Sequence, residues 1–424
     1  MKSTIILANY PYKLPRVSSM FRYIVFCVFL TLVWNATLQA ALEATPPPGV
    51  NGTGGSMYDA ITASCGDSGN SLAFNTQCNA LLSSSPIEQT EQVQIISPEQ
   101  TGASGTNANK TSASKTSSAN QSVMSRMVSF RNEGVTTRAN NFQFYDNGNA
   151  LQPTGISSIN KGAASADDYS KLGLWVNGIF RFGTVDSTFQ ESKGYNYNNL
   201  GVTLGLDYAV TEDLIVGTAF TYLSTNGDYV SNGGDLHTDL FNGAIYASYY
   251  ITDNFYIDGL AFYGGNNYDI TRNVNYTGVN ATLEGTPDGR QYGFNLSSSY
   301  TFNYQRLIAE PYVSVGYIGT DIDAYDEAEL GPASGQGWAT RYDAQNLTSL
   351  KTTLGALFAY NFDVPWGVLI PQIRGEWHHE FEGHGREITS KFIGNNADSA
   401  RTYSVFIENP DRDYFTFGTS ITSA

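Results

Sequence analysis

Leu200-Gly201-Val202-Thr203-Leu204-Gly205-Leu206-Asp207-Tyr208-Ala209-Val210 alternates apolar and small or polar residues from end to end. Successive side chains on a β-strand point to opposite faces, so this stretch makes one apolar face and one small, polar face. Arg290–Phe302 repeats the pattern, with Tyr292, Phe294, Leu296, Tyr300 and Phe302 on the apolar side. Leu307–Tyr317 and Leu350–Tyr360 do the same. A soluble sandwich also alternates, but its strands run to about 5–6 residues. These runs match the roughly 9–11 residues that cross a bilayer at a tilt.

Working outward, period two predicts strands near 172–185, 199–210, 213–226, 236–251, 253–268, 288–303, 305–320, 349–362, 366–380 and 413–421. Short connections such as Thr211-Glu212-Asp213, Thr252-Asp253-Asn254, Asn303–Arg306 and Asp363-Val364-Pro365 follow the even strands. Longer polar ones, Gly265–Pro287, Asp321–Thr348 and Phe381–Arg412 among them, follow the odd strands. That asymmetry is the mark of an outer-membrane barrel, with short periplasmic turns and long external loops. The expected fold is therefore all-β: an antiparallel up-and-down transmembrane β-barrel with about ten strands visible. Closure leaves no edge amides unpaired in lipid.

Composition agrees. The 424 residues are 15% charged and 13% aromatic, with 28 Tyr and 42 Gly, and the mean hydropathy is −0.25. A soluble domain carries about 25% charged residues. No apolar run beyond the first 40 residues approaches the roughly 20 that a spanning helix needs. A net charge of −16 argues against nucleic acid as a partner.

The N-terminus reads as a signal peptide, residues 1–40. Lys13, Arg16 and Arg22 precede an apolar stretch from Tyr23 to Trp34, with Ala40 at a cleavage site and Met20 as an alternative start. Cys27 leaves with it. Cys65 and Cys78 then form an even pair in an exported chain, which favours a disulfide over an incomplete metal site. Residues 41–122 are small and polar, and Ser97–Ser122 reads as a flexible linker. Within 123–165, Val123, Met127 and Phe130 lie on one face of a short helix beside Arg126 and Arg131. If that helix plugs a lumen, Arg126 or Arg131 should face Asp207, Glu310 or Glu376. The barrel region is 166–424.

The polar faces carry Trp175, Asn177, Arg181, Asp207, Glu310, Lys351, Arg374 and Glu376. Charge within a span needs water or a partner. Either a hydrated pore or mutually satisfying pairs meets that need, and the alternation does not choose between them.

Two stretches invite enzyme readings. Gly66-Asp67-Ser68-Gly69 resembles a serine-nucleophile context, but all four histidines lie in the barrel region and the composition is that of a turn. His378-His379-Glu380, with Glu382 and His384, suggests a metal, yet adjacent strand residues face opposite ways. No phosphate loop, nucleotide fingerprint or zinc-type cysteine cluster occurs, so no cofactor is expected.

Glu310–Tyr317 and Leu369–Phe381, the latter ending in an aromatic, basic and acidic cluster, resemble strands of the autotransporter family. The tract around Cys65 and Cys78 is similar to what precedes the barrel in members with very short passengers. The resemblance covers Leu172 to the end and implies a barrel of about twelve strands that carries its N-terminal segment outward. It implies outer-membrane lipid, the barrel-assembly machinery and periplasmic chaperones as partners, and names no target for the passenger. Two departures stand out: there is no repetitive solenoid sequence, and the chain ends on Ala424 within its last strand, not on an aromatic. They lead to an expectation of a C-terminally truncated barrel. A porin- or adhesin-like barrel with a periplasmic N-terminus is the alternative within this architecture. A surface hydrolase using Ser68 or the His378 cluster is the alternative from another class.

Overall fold

The computed structural model describes residues 52–98, 120, 122–124, 126–127, 140–146, 149–151, 172–185, 194–229, 233–330, 337–364, 367–382, 386–396, 401–407 and 412–423. Ten antiparallel strands form a meander in chain order. They are Leu172–Val185, Tyr195–Ala209, Leu214–Tyr229, Gly234–Thr252, Phe255–Tyr276, Asp288–Tyr300, Leu307–Ile322, Gln345–Tyr360, Gly367–Glu380 and Asp413–Ser423. Counting the shorter strands between and before them, these are β3, β4, β5, β6, β7, β9, β11, β15, β17 and β20. Each of the ten alternating segments of the sequence becomes one of these strands, and they run from 11 to 22 residues.

The burial pattern is that of a soluble protein turned inside out. Along β4, Val202, Leu204, Leu206 and Tyr208 are exposed, whereas Thr203 and Asp207 are fully buried. Thr203 meets Thr221 of β5 hydroxyl to hydroxyl at 2.8 Å, and Ser248 of β6 donates to Asp258 of β7 at 2.7 Å. Small polar side chains line the inside; the greasy face looks outward. Aromatic pairs such as Tyr300–Phe302 and Tyr360–Phe362 stand at the short-turn end, where an interfacial girdle belongs.

Two further strands precede the meander: β1 (Asn140–Asp146) and β2 (Asn149–Leu151). β1 runs parallel to β3, pairing Asn140 with Val176 through Asp146 with Phe182, and β2 folds back on β1. Among the described residues β20 pairs with β17 and β3 with β4 and β1, so the first and last meander strands do not pair with each other and the sheet is not closed.

The connections expected to be long and polar carry strands of their own. β7 continues to Tyr276 and turns into β8 (Val279–Gly285), because the alternation of Tyr268, Ile270, Arg272 and Val274 carries on past the membrane-length run. β10 (Phe302–Tyr304) and β16 (Phe362–Val364) merely flank the short turns. In the loops, β12 (Tyr325–Asp326), β14 (Thr340–Tyr342), β18 (Arg386–Phe392) and β19 (Tyr403–Ile407) build a separate four-stranded sheet, and β13 (Ala328–Leu330) pairs with β8.

Three helices were not anticipated from the small, polar sequence before the linker: α1 (Gly52–Ser64), α2 (Leu72–Ser83) and α3 (Pro86–Ile96). Ser71 caps α2, and Ser85 with Glu88 forms a capping box on α3. Met57, Ile61, Phe74, Leu81, Val93 and Ile96 share one buried cluster with Trp338, Tyr342, Phe392 and Val405 of the loop sheet. The helices thus complete a core at the long-loop end.

Candidate functional site

The lumen is built by the polar parity of the strands. Its centre is Asp207, fully buried on β4 close to the short-turn end. Gly205, two residues earlier on the same face, leaves no room for a Cβ because the indole of Trp175 lies across it. That placement lets Trp175 Nε1 donate to Asp207 Oδ1 at 3.1 Å and to the Tyr246 hydroxyl at 2.8 Å. Tyr246 in turn donates to the same carboxylate oxygen.

Into this site reaches a residue from outside the barrel sequence. Arg126 Nε donates to Asp207 Oδ2 at 2.7 Å, and Nη2 stands 2.6 Å from the same oxygen. Asn120, Ser122–Met124, Arg126 and Met127 are helical. Val123 and Met127 pack against Trp175, Ile215, Ala219, Tyr246, Leu260 and Phe262, and Ser122 lies 3.4 Å from Asn177 through its hydroxyl. Asn177 pairs with Thr203 and Asp207 with Gly173, so Ser122 sits nearer the long-loop end than Arg126 does. The segment descends toward the short turns as its number rises. Phe130 and Arg131 lie outside the described residues, as do residues 1–51. Of the linker expected over 97–122, Ser97 and Ser122 are buried.

A second, partly open cluster of polar-face residues lies on β11, β17 and β20. Glu376 accepts from the Tyr312 hydroxyl and, at 2.7 Å, from the Thr416 hydroxyl, while Arg374 stands 3.5 Å away. Lys351 Nζ reaches the Tyr414 hydroxyl at 3.4 Å, and Glu310 lies 3.5 Å from Thr301 Oγ1. Arg181 is buried on β3. His378 faces inward, between the hydroxyls of Thr353 and Thr416, each at 2.9 Å. His379 is on the other face, 2.9 Å from Asp413. The two histidines therefore do not converge, and the described residues contain no group of three or more His, Cys, Asp or Glu placed to hold a metal.

Residues 174–424 match the family described as the autotransporter β-domain. The chain belongs to that family. Its strands are the β-domain of an outer-membrane autotransporter. Among curated proteins it is 22% identical over 263 residues to outer membrane protein B of Rickettsia typhi, covering 60% of this chain and 15% of that one. It is 23% identical over 261 residues to outer membrane protein A of Rickettsia conorii, covering 57% of this chain and 12% of that one. The chain thus spans a small fraction of the length of these relatives. Solved structures it resembles include the translocator domain of the autotransporter NalP from Neisseria meningitidis, with 12% identity, 72% and 96% of the two chains covered, and a TM-score of 0.43. The β domain of the Bordetella autotransporter BrkA is 16% identical, with 60% and 95% covered and a TM-score of 0.37.

At the long-loop end of the strands, α1–α3 carry the remaining candidates. Cys65 and Cys78 are joined in a disulfide, with Cα atoms 5.9 Å apart, at the end of α1 and within α2. Gly66–Gly69 is the turn between the two helices. Its backbone is tied down by Asn75, whose Oδ1 accepts from Gly66 N at 3.0 Å and whose Nδ2 donates to Asp67 O at 3.2 Å. A residue that sequence reasoning missed lies beneath α3. Arg272 on β7 is fully buried against Glu327, 2.5 Å away. The signal was available: Arg272 keeps the buried parity of Ile270 and Val274, and a cation there requires a partner.

Proposed function

We propose that this barrel carries its own N-terminal segment, the passenger and linker within residues 41–122, through the lumen and displays it at the cell surface. The observation that supports this reading is a single path. Helices α1–α3 cap the long-loop end, Arg126 is anchored to Asp207 in the periplasmic half of the lumen, and residues 99–119 join the two. A chain that stayed in the periplasm would have no reason to build its core on external loops. The role is transport and display, not catalysis, and export by the signal peptide and insertion by the assembly machinery and chaperones belong to the same reading. The porin-like alternative is disfavoured by Val123 and Met127, which are buried in one apolar cluster with Trp175 and Phe262 on the inner face of the strands, where an open pore needs water. An epitope inserted after Gly69, in the exposed turn between α1 and α2, tests the proposal. Antibody staining of intact cells is the expected result; staining only after permeabilisation would return the segment to the periplasm.

A further inference from the structure

We propose that the external loops carry a built seat for the N-terminal helices, centred on Arg272, which holds the passenger on the barrel after export instead of releasing it. The inference rests on the surface reading for its location, but on separate contacts for the retention itself.

The end of a helix leaves carbonyls without partners and carries the negative end of the macrodipole. At the end of α3 one such carbonyl, that of Ile96, accepts from Arg272 Nη1 at 2.6 Å. The rest of the guanidinium is fixed by the loops. Nε and Nη2 reach the two oxygens of Glu327 at 2.9 and 2.5 Å, and Nη2 also donates to the Trp338 carbonyl at 3.0 Å. Glu327 is itself held by the Thr340 N–H at 3.0 Å and the Tyr342 hydroxyl at 3.2 Å. The loops take three of the five N–H donors, and Nη1 gives one of the remaining two to the helix. Arg272 is wholly buried, and α3 forms part of its cover. The Arg272–Glu327 pair itself adds little over apolar packing, but the bond to Ile96 fixes register, and without it a buried carbonyl at the end of α3 goes unmet.

A second contact works on a different element. Among the described residues β19 ends the order β12-β14-β18-β19, so one of its sides pairs with no described strand. The N–H groups of Ser404 and Phe406 on that edge donate to the hydroxyls of Ser56 and Thr53 of α1, at 3.0 and 2.8 Å. Side chains of α1 thus take the place of a missing strand and cover an edge that would otherwise invite pairing. Between the two contacts, Ser71 N donates to the Gly394 carbonyl at 2.8 Å and Asn395 Nδ2 to Ser64 Oγ at 2.8 Å. Among the described residues, the buried apolar side chains of the helices lie in one cluster with the loop residues and with the long-loop ends of β4–β7, such as Tyr195, Leu236 and Ile270. A segment emerging extended from the lumen would fold on this seat and stay there.

The test is amide hydrogen exchange on the purified full-length protein in detergent. The paired variant R272M/E327M removes both charges, so neither is stranded. Exchange in α1 and α3 should rise at least tenfold while the lumen-forming stretches of β3–β7 keep wild-type protection. Wild-type protection of the helices in that variant would overturn the proposal. If the strands also lose protection, T53V/S56A replaces it, since it alters only side chains of α1. The same rise is then expected in α1 and in the amides of Ser404 and Phe406, and no change would overturn the proposal. Protection that falls on dilution of the wild type would assign the helices to a second copy of the chain and overturn the intramolecular seat. Surface staining reports where the helices are and exchange reports whether they are held, so the two readings fail separately.

Discussion

Arg126 and Asp207 meet at 2.6 Å across 81 positions of sequence, with neither side chain more than 2% exposed. The carboxylate also takes the indole N–H of Trp175 and the hydroxyl of Tyr246, so a buried anion is fully satisfied only while Arg126 is present. The barrel wall supplies the anion and the N-terminal segment supplies the cation.

Asp207→Ala should therefore free the lumen segment. Stranding the buried guanidinium costs about 3–5 kcal/mol, enough to empty the site at equilibrium. Single-channel conductance in planar bilayers should rise above wild type. Unchanged conductance would mean that the segment is not held by this pair.

The two faces of the strands should respond oppositely. Leu204→Arg or Phe294→Arg places a cation on the lipid side, at a cost of about 2–4 kcal/mol near the midplane. Thr203→Ser and Asn295→Ser keep a small polar group inside and should be tolerated. Heat-modifiable mobility of the barrel on gels reports assembly. Equal tolerance at both sets would contradict the inverted burial.

How much of this was legible follows from where the information lies. The ten spanning strands announce themselves because lipid outside and hydroxyls inside force period two on each one; Leu200–Val210 alone carries the rule. Asp207 was legible as a charge that interrupts such a run, and Arg126 as a cation beside a helical apolar face. Helices α1–α3 were not. Met57, Phe74, Leu81 and Ile96 are sparse among small polar residues, and their partners Trp338 and Phe392 lie far along the chain. The loop sheet was hidden similarly, its short strands β12, β14 and β19 each being too brief to show a period. Arg272 was overlooked because it falls in a stretch read as a loop, although its alternation continues there.

Loss of the disulfide should act locally. The cross-link between Cys65 and Cys78 closes a short loop, for which chain entropy gives about 3 kcal/mol. Replacing both residues by Ser should speed protease cleavage within α1 and α2 while leaving barrel assembly intact. Resistance equal to wild type would show that docking on the loops alone holds the helices.

If the helices are displayed, they and the short turns stand on opposite sides of the outer membrane. Ile87 is a well exposed position of α3, and Asp253 lies in the short turn between β6 and β7. Cysteines introduced singly at these positions can be probed in whole cells with a maleimide on a polymer too large to cross the outer membrane. The expected result is labelling of Ile87→Cys in intact cells and of Asp253→Cys only after permeabilisation. Labelling of Ile87→Cys only after permeabilisation, alongside Asp253→Cys, would contradict it.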